Sequence, residues 1–373
     1  MIPSDRPELA ELRDAVRSLL AKAAPLADVE RHAALPGGYD RALWRRLAAE
    51  IGAAALLVPE KCGGVGAGIQ EAAVVAEELG RALVPSPFLI TAGLAALLLQ
   101  DSPDEGGLLA EIAAGEATAA VVYRGADGEV DPAALPARAR EVADAAGGGT
   151  GWRLDGQARF VVDGAGADWF LVLAPTATDV RLFMVAADAP GLVCEPMRTL
   201  DLTRGQAQVS FNDVPARGLQ SVDAWGALQA ALRRSTVLLA AEQAAGAERA
   251  LELAIDYTKQ RMQFGRPIGS FQALKHRCAD LVVEVDRARS ALAHATWAAD
   301  NDPARLQAAA ALAAMVAGQA YVTAAQENIQ LHGGIGFTWE HPAHLFFRRA
   351  KSDNVLLRNP GEHAGFLLNG LVA

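Results

Sequence analysis

"RMQFGRPIGSFQALKHRCADL", residues 261 to 281, places an arginine, an amide and an aromatic ring close together after a long helical pattern. The spacing predicts that Arg261, Gln263 and Phe264 lie on adjacent faces of the last helical turn. A guanidinium group is a planar fork that matches a diphosphate. An amide can hydrogen-bond beside it, and a ring can cover an adenine or a ribose. The stretch therefore indicates a nucleotide-diphosphate site.

A second stretch, "QLHGGIGFTWEH" at residues 330 to 341, interrupts another helical pattern with two adjacent glycines. Two glycines in a row let a backbone approach a ligand closely with its N–H groups exposed. The alternatives are a plain turn between two helices and a metal site formed by His332, His341 and His344. Their spacing does not place three ligands on one helical face, and no Asp or Cys completes a set. A phosphate cradle is therefore favoured, and no metal is expected.

The hydrophobic pattern divides the chain into three segments. Residues 1–115 carry apolar residues at helical spacing. Residues 116–218 contain five short β-branched and aromatic runs punctuated by Gly, Asp and Pro: "TAAVVY", "WRLDGQARFVVDG", "DWFLVLAP", "VRLFMVAA" and "AQVSFNDV". They predict a small antiparallel β domain. Residues 219–373 return to helical spacing with broad apolar faces, which pack as a bundle and against other subunits.

The third segment begins with a predicted helix from about Asp223 to Met262, which is longer than a small monomer can cover. Ser270 is the predicted N-cap of the next helix, and Pro303 lies near the start of the one after it. Helical apolar surface beyond the need of one bundle predicts an oligomer.

Composition excludes several classes of partner. The 373 residues carry a formal net charge of −10 without any Lys/Arg run, so nucleic acid and anionic membrane are not expected partners. The N-terminus does not resemble a signal peptide, and apolar runs such as "LITAGLAALLL" are too short to span a bilayer. Cys62, Cys194 and Cys278 are odd in number and far apart, which favours a reducing cytoplasm over a disulfide frame or a Cys-based zinc site.

The stretch at 261–281 and "QENIQLHGGIGFTWEHPAHLFFRRAK" at 326–351 resemble the two signature regions of the acyl-CoA dehydrogenase family. "LVPEKCGGVGAG" and "APGLVCEPMRTLDLTRGQAQVSFNDVPA" are similar to its N-terminal loop and β-domain tail, so the resemblance covers nearly the whole chain. The resemblance implies an acyl-CoA dehydrogenase-like fold. Its parts are an N-terminal α-helical domain (1–115), a middle small antiparallel β domain (116–218) and a C-terminal four-helix bundle (219–373).

The resemblance also implies FAD as cofactor and α,β-dehydrogenation of an acyl-CoA thioester in lipid metabolism. It implies that the first motif holds the FAD of one subunit and that the second motif comes from a neighbouring subunit. The FAD-binding positions carried over are Arg261, Gln263, Phe264, Gln272, Gln330, Gly333 and Gly334.

The chain departs from the family where a carboxylate removes the α-proton. Alignment on the family motifs places Leu357 at the usual Glu position and Ser235 at the alternative one. Neither is acidic, so the candidate bases left are Asp353, Glu362 and Glu242.

The chain also departs from the family at positions that lie against the flavin ring in its members. Phe160 stands where the family has a tryptophan, and Val162 where it has a hydroxyl. The half that binds the ADP moiety of FAD is retained.

Three explanations remain open. The chain is a subunit that pairs with a catalytic homologue, as in heterotetrameric relatives with one subunit lacking the base. Alternatively it is a homotetrameric dehydrogenase with an unexpected acid, or it has a different activity on the same fold, as a flavin-dependent monooxygenase or a non-catalytic acyl-CoA-binding protein. Acyl-CoA, electron-transfer flavoprotein and a homologous subunit are the expected partners, in the cytoplasm.

Overall fold

The computed structural model describes residues 6–100, 107–143, 150–220 and 223–372. The helical content is high at both ends of the chain, as the apolar spacing predicts. The α-helices within these ranges are α1 Pro7–Ala23, α2 Val29–Ala33, α3 Arg41–Arg46, α4 Ile69–Arg81, α5 Ala96–Gln100, α6 Leu108–Ala113, α7 Ala224–Gln260, α8 Gln272–Asn301, α9 Pro303–His332, α10 Ala343–Asp353 and α11 Pro360–Val372.

The middle of the chain forms the predicted β-sheet. Its strands are β1 Ala119–Val122, β2 Ala137–Ala143, β3 Thr150–Val162, β4 Trp169–Pro175, β5 Val180–Ala186, β6 Leu192–Pro196 and β7 Gln206–Gly218. The strand order is β1-β4-β5-β7-β3-β2, and β6 also pairs with β7. The sequence patterns predict five of these strands but miss β2, which is rich in Ala and Arg, and the exposed β6. The expected helical, β and helical organisation is confirmed.

One pairing corrects the prediction of a purely antiparallel sheet. β1 runs parallel to β4, with Ala119 beside Trp169 and Val122 beside Val172. A parallel pair requires a long crossover connection, and the chain between β1 and β4, which contains β2 and β3, provides it. The other pairs in this sheet are antiparallel.

The described chain separates into two compact units. One unit comprises the residues up to Glu30, Gly68–Val84 and the chain from Thr236 onwards. The other comprises Arg31–Ala67 and Pro85–Ser235. The boundary therefore falls inside α7, and the N-terminal helices are shared between both units. The division into three domains at residues 115 and 218 stays a prediction.

The helices of the first unit pack closely because small residues stand where they cross. A Cβ atom added to Gly80 on α4 would overlap the backbone of Glu242 on α7. Likewise, a Cβ atom on Gly246 of α7 would lie 2.5 Å from the ring of Tyr321 on α9. Glycine at these two positions allows the backbones to approach to a distance that no side chain would permit.

The expectation that the apolar runs are too short to cross a membrane is wrong for helix α9 and the residues directly after it. Among the described residues, the run Pro303–Phe337 is long and apolar enough to do so by length and composition alone. Most of its apolar stretch is buried inside the fold, and a core helix of a globular protein passes the same test.

The starts of the long helices follow sequence rules in part. Pro303 is the first residue of α9, as predicted, because proline is tolerated where no helical N–H is needed. Ser270 is not an N-cap, since α8 begins at Gln272 after Phe271 and has no side-chain cap. Asp300 of α8 instead caps α4 by accepting hydrogen bonds from the backbone N–H groups of Ile69 (2.7 Å) and Gln70 (3.0 Å).

Candidate cofactor and acyl-CoA site

The first motif forms a small hairpin rather than the last turn of a helix. Helix α7 ends at Gln260, and two short strands follow, β8 Met262–Gln263 and β9 Arg266–Pro267. The two turn residues, Phe264 and Gly265, have φ angles of 53° and 74°. Hairpin turns with positive φ at both positions match the twist of the strands, but this conformation is unusual for a bulky residue. The turn leaves the Phe264 side chain 88% exposed.

Six of the seven predicted cofactor positions line one cleft of about 790 Å³: Arg261, Gln263, Phe264, Gln330, Gly333 and Gly334. The seventh, Gln272, is exposed at the start of α8 and is not among the lining residues. The resemblance implies that the two motifs come from different subunits, yet both line the same cleft of one chain. They meet because α7 and α9 end side by side.

The glycines of the second motif differ in why glycine is needed at each position. Gly333 follows α9 with φ 63° and ψ −138°, a conformation that is essentially restricted to glycine. A Cβ atom on Gly336 would lie 2.6 Å from the carbonyl oxygen of Ile329, so packing requires that glycine. A Cβ atom on Gly334 would meet nothing within 4 Å. Neither conformation nor packing within the described chain requires glycine at 334. The Gly334 backbone is exposed in the cleft wall.

The cleft carries two guanidinium groups. Arg277 pairs with Glu327 at 3.1 Å, whereas Arg261 makes no ion pair with any residue described in the structure. An unpaired guanidinium beside an exposed glycine backbone is a donor set for a diphosphate. Gln263 adds an amide, and the exposed Phe264 ring adds an apolar face. These residues therefore fit the ADP half of FAD.

His332, which the sequence offers only as a metal ligand, lies in the cleft wall. His332 is 5% exposed, and its ring lies against the tilted rings of Tyr257 and His341, with centroid distances of 4.3 Å and 4.2 Å. Burial lowers the pKa of His332, and it lowers the pKa of His341 as well. Within the described ranges, no group of three His, Cys, Asp or Glu side chains is placed to hold a metal ion.

The two positions that the family uses for the base are buried. Leu357 is 1% exposed and Ser235 is fully buried. The Ser235 hydroxyl has no hydrogen-bond partner among the residues described. A buried methyl-bearing side chain and an unactivated hydroxyl cannot take a proton from carbon.

Two of the three alternative acids are part of a buried ion triad. The Arg349 guanidinium lies 3.1 Å from a carboxylate oxygen of Glu242 and 3.2 Å from one of Asp353. All three side chains are at most 3% exposed. The triad ties α10 to α7, and both carboxylates are held by the same cation inside the fold.

The third acid, Glu362, is a capping residue. Its carboxylate accepts from the backbone N–H of Asn359 at 2.8 Å and lies 3.2 Å from the Arg358 guanidinium. The Asn359 side chain in turn accepts from the Glu362 N–H at 3.0 Å. This reciprocal arrangement is a capping box at the start of α11. Each acid named from the sequence thus has a structural role.

His363, one residue further, gives a testable pH dependence. Burial, together with the positive charge of the nearby Arg358, lowers its pKa to about 4. The unfolded chain would bind a proton near pH 6.5 and the folded chain would not, so stability falls as the pH drops from 6.5 towards 4. The expected loss is up to about 3 kcal/mol, from about 1.4 kcal/mol per pKa unit.

Urea unfolding of the wild type and of His363→Leu between pH 7 and pH 4.5 checks this prediction. His363→Leu should lose much of the acid slope, whereas His276→Leu, on the exposed face of α8, should keep it. Equal slopes in all three proteins would contradict the prediction.

Phe160, at the family's tryptophan position, lies in a β-bulge of β3. The pairing of β3 with β7 shifts register between Ala158 and Val161, and Phe160 has φ 59°. Its ring is 38% exposed, and the Arg159 guanidinium lies 5.3 Å from its centroid. Val162 pairs with Gln206 at the end of the strand. The bulge turns an aromatic ring outward, but Val162 has no hydroxyl to donate.

Comparison with known proteins agrees with this architecture. Residues 6–105 match the family model "Acyl-CoA dehydrogenase, N-terminal domain", and residues 224–356 match "Acyl-CoA dehydrogenase, C-terminal domain". The chain is 39% identical over 351 residues to acyl-CoA dehydrogenase IpdE2 of Mycobacterium tuberculosis. The aligned region covers 94% of this chain and 93% of that protein. FadE34 of the same organism is 37% identical over 84% of this chain and 40% of its own length.

Solved structures show the same fold. A variant of the Tcur3481-Tcur3483 steroid ACAD has a TM-score of 0.85 and 30% identity, covering 98% of this chain and 99% of that one. The ChsE4-ChsE5 complex from Mycobacterium tuberculosis has a TM-score of 0.85 and 28% identity, with 99% and 98% coverage. The chain therefore belongs to the acyl-CoA dehydrogenase family. It is an acyl-CoA dehydrogenase-type oxidoreductase, and its cofactor is FAD.

Proposed function

We propose that this chain is the base-lacking subunit of a heteromeric acyl-CoA dehydrogenase, whose homologous partner supplies the catalytic glutamate. One observation carries the proposal: both family base positions are non-acidic and buried, and each alternative acid is held by a cation or a helix start. A homotetramer that uses one of these acids would first have to break those contacts.

The surroundings of the cleft support a protein partner. Phe264, Phe337 and Trp339 are 88%, 88% and 71% exposed at or near the cleft. Exposed large apolar side chains that form a patch are typical of interaction sites; Phe264 lines the cleft, and Phe337 and Trp339 follow its glycines in the chain. Two similar structures, Tcur3481-Tcur3483 and ChsE4-ChsE5, each carry the names of two chains. We infer a heterotetramer in which this cleft lies against the homologous subunit.

The proposed substrate is an acyl-CoA whose acyl group is derived from a steroid. The support is the 30% identity, over nearly the whole chain, to a protein described as a steroid ACAD. Electron-transfer flavoprotein is the proposed electron acceptor, and the cytoplasm the proposed location.

In this function the chain's residues bind and orient. Arg261 and Gln263 would hold the diphosphate of FAD, with the bare backbone at Gly333 and Gly334 completing the cradle. FAD supplies the acceptor for the hydride that leaves the β carbon. The Leu357 N–H has no acceptor within the described chain, and it would donate to the thioester carbonyl without help from its side chain. The α-proton goes to the partner's carboxylate.

Arg261→Ala should reduce the affinity for FAD by one to two decades while the fold is retained. The charge-assisted bonds that are lost are each worth about 1.5–3 kcal/mol. Flavin content from the absorption spectrum and ADP affinity by calorimetry measure the effect. Arg287→Ala is the matched control, because Arg287 is exposed on α8 and outside the cleft. An Arg261→Ala protein with full flavin occupancy would rule out the assignment.

The subunit proposal is tested by expressing the chain alone and together with a homologous acyl-CoA dehydrogenase chain from the same locus. Mass by light scattering and flavin by absorption are measured on both preparations. The proposal expects a stable complex of the two chains that retains FAD. A lone chain that forms a flavin-saturated homotetramer and reduces its flavin rapidly with an acyl-CoA would overturn it.

A further inference from the structure

The chain turns sharply where α9 ends, and His332 is the last residue before the turn. Residues 333–337 form a short 3-10 turn that folds back over His332. A Cβ atom on the buried Gly336 would lie 2.8 Å from the Cβ of His332. The 3-10 turn that begins with Gly333 and Gly334 therefore packs back against His332 through Gly336.

Three contacts fix the His332 ring itself. Its Nδ1 lies 2.8 Å from the carbonyl oxygen of Asn328, one helical turn earlier. The ring contacts the ring of Tyr257 at the end of α7 and that of His341, just before α10. His332 thus joins the end of α7, the end of α9 and the chain leading to α10.

We propose that His332 is a positioning residue for the cofactor: its ring, fixed by Tyr257, His341 and the Asn328 carbonyl, holds the end of α9 and so sets the Gly333–Gly334 backbone in the conformation that receives the diphosphate. The inference deepens the proposed cofactor site and rests on it. It adds a residue that is not itself expected to bond to the diphosphate.

The two residues directly after α9 are glycines, which have many backbone conformations and lose the most entropy on ordering. Ring contacts that order this turn before the ligand arrives remove that cost from binding. The burial that lowers the pKa of His332 keeps its ring neutral at neutral pH, so stacking does not require burying a charge.

The affinities of the apo full-length chain for ADP and for adenosine test the positioning role of His332. The expected result for His332→Ala is at least a tenfold loss of ADP affinity with little change for adenosine, since only ADP carries the diphosphate. His332→Phe retains a ring that can stack, and it should remain within about threefold of the wild type. His363→Ala, which also removes a buried histidine, is the control for general destabilisation.

Equal losses for ADP and adenosine in His332→Ala, or no loss for either, would overturn the inference. So would a His332→Phe variant as weak as His332→Ala. Failure of the wild-type chain, alone and in its complex, to bind ADP would instead remove the proposed cofactor cleft, and the inference with it.

Discussion

Arg349→Met should destabilise the protein by about 3–5 kcal/mol, a large share of the roughly 5–15 kcal/mol that holds a typical domain folded. The substitution leaves the Glu242 and Asp353 carboxylates, both at most 3% exposed, without the cation that they share. An uncompensated buried charge is costly because the surrounding protein cannot solvate it as water does.

Chemical denaturation compares Arg349→Met with two other variants. The triple variant Arg349→Met, Glu242→Gln and Asp353→Asn should recover much of the loss, since no buried charge of the triad remains. Arg348→Met is the neighbouring control on α10. Its guanidinium lies 4.4 Å from the centroid of the exposed Trp339 ring, a contact worth about 0.5–1 kcal/mol. An Arg349→Met protein as stable as Arg348→Met would show that the triad does not stabilise the packing of α10 on α7.

The isolated chain, loaded with FAD, should reduce its flavin with acyl-CoA about 10²–10⁴-fold more slowly than its complex with a base-bearing partner. This range is what a positioned general base contributes. Stopped-flow absorbance at the flavin band measures the rate with a panel of acyl-CoAs, including steroid-derived ones. Binding and polarisation of the thioester should persist, so the deficit should appear in the reduction step and not in substrate affinity.

Two variants decide which residue is responsible for any residual rate. Glu362→Gln removes the third candidate acid and should leave the slow rate unchanged, because that carboxylate caps α11. Leu357→Glu places a carboxylate at the family's base position and should raise the rate. Fast flavin reduction by the unmodified lone chain would refute the missing-base argument, and a loss of that rate in Glu362→Gln would identify the acid.

Much of this protein is determined by sequence alone. The apolar spacing indicates the long helices α7 to α9, and the β-branched runs indicate five strands, because period and residue type are local properties. The two motifs likewise identify the cleft residues, since a guanidinium, an amide and paired glycines have the same chemistry in any fold. The missing base is also visible in the sequence as Leu357 and Ser235.

The remaining features depend on which distant residues meet, so they follow from the tertiary structure and not from any local pattern. The turn at Phe264 is a hairpin rather than a helix end, and both motifs line one cleft since α7 and α9 end together. No local pattern shows that Arg349 would engage Glu242, more than a hundred positions away in the chain. Packing sets which side chains are buried and which partners they have. It places the candidate bases Glu242 and Asp353 in an ion triad, and Glu362 at the start of α11.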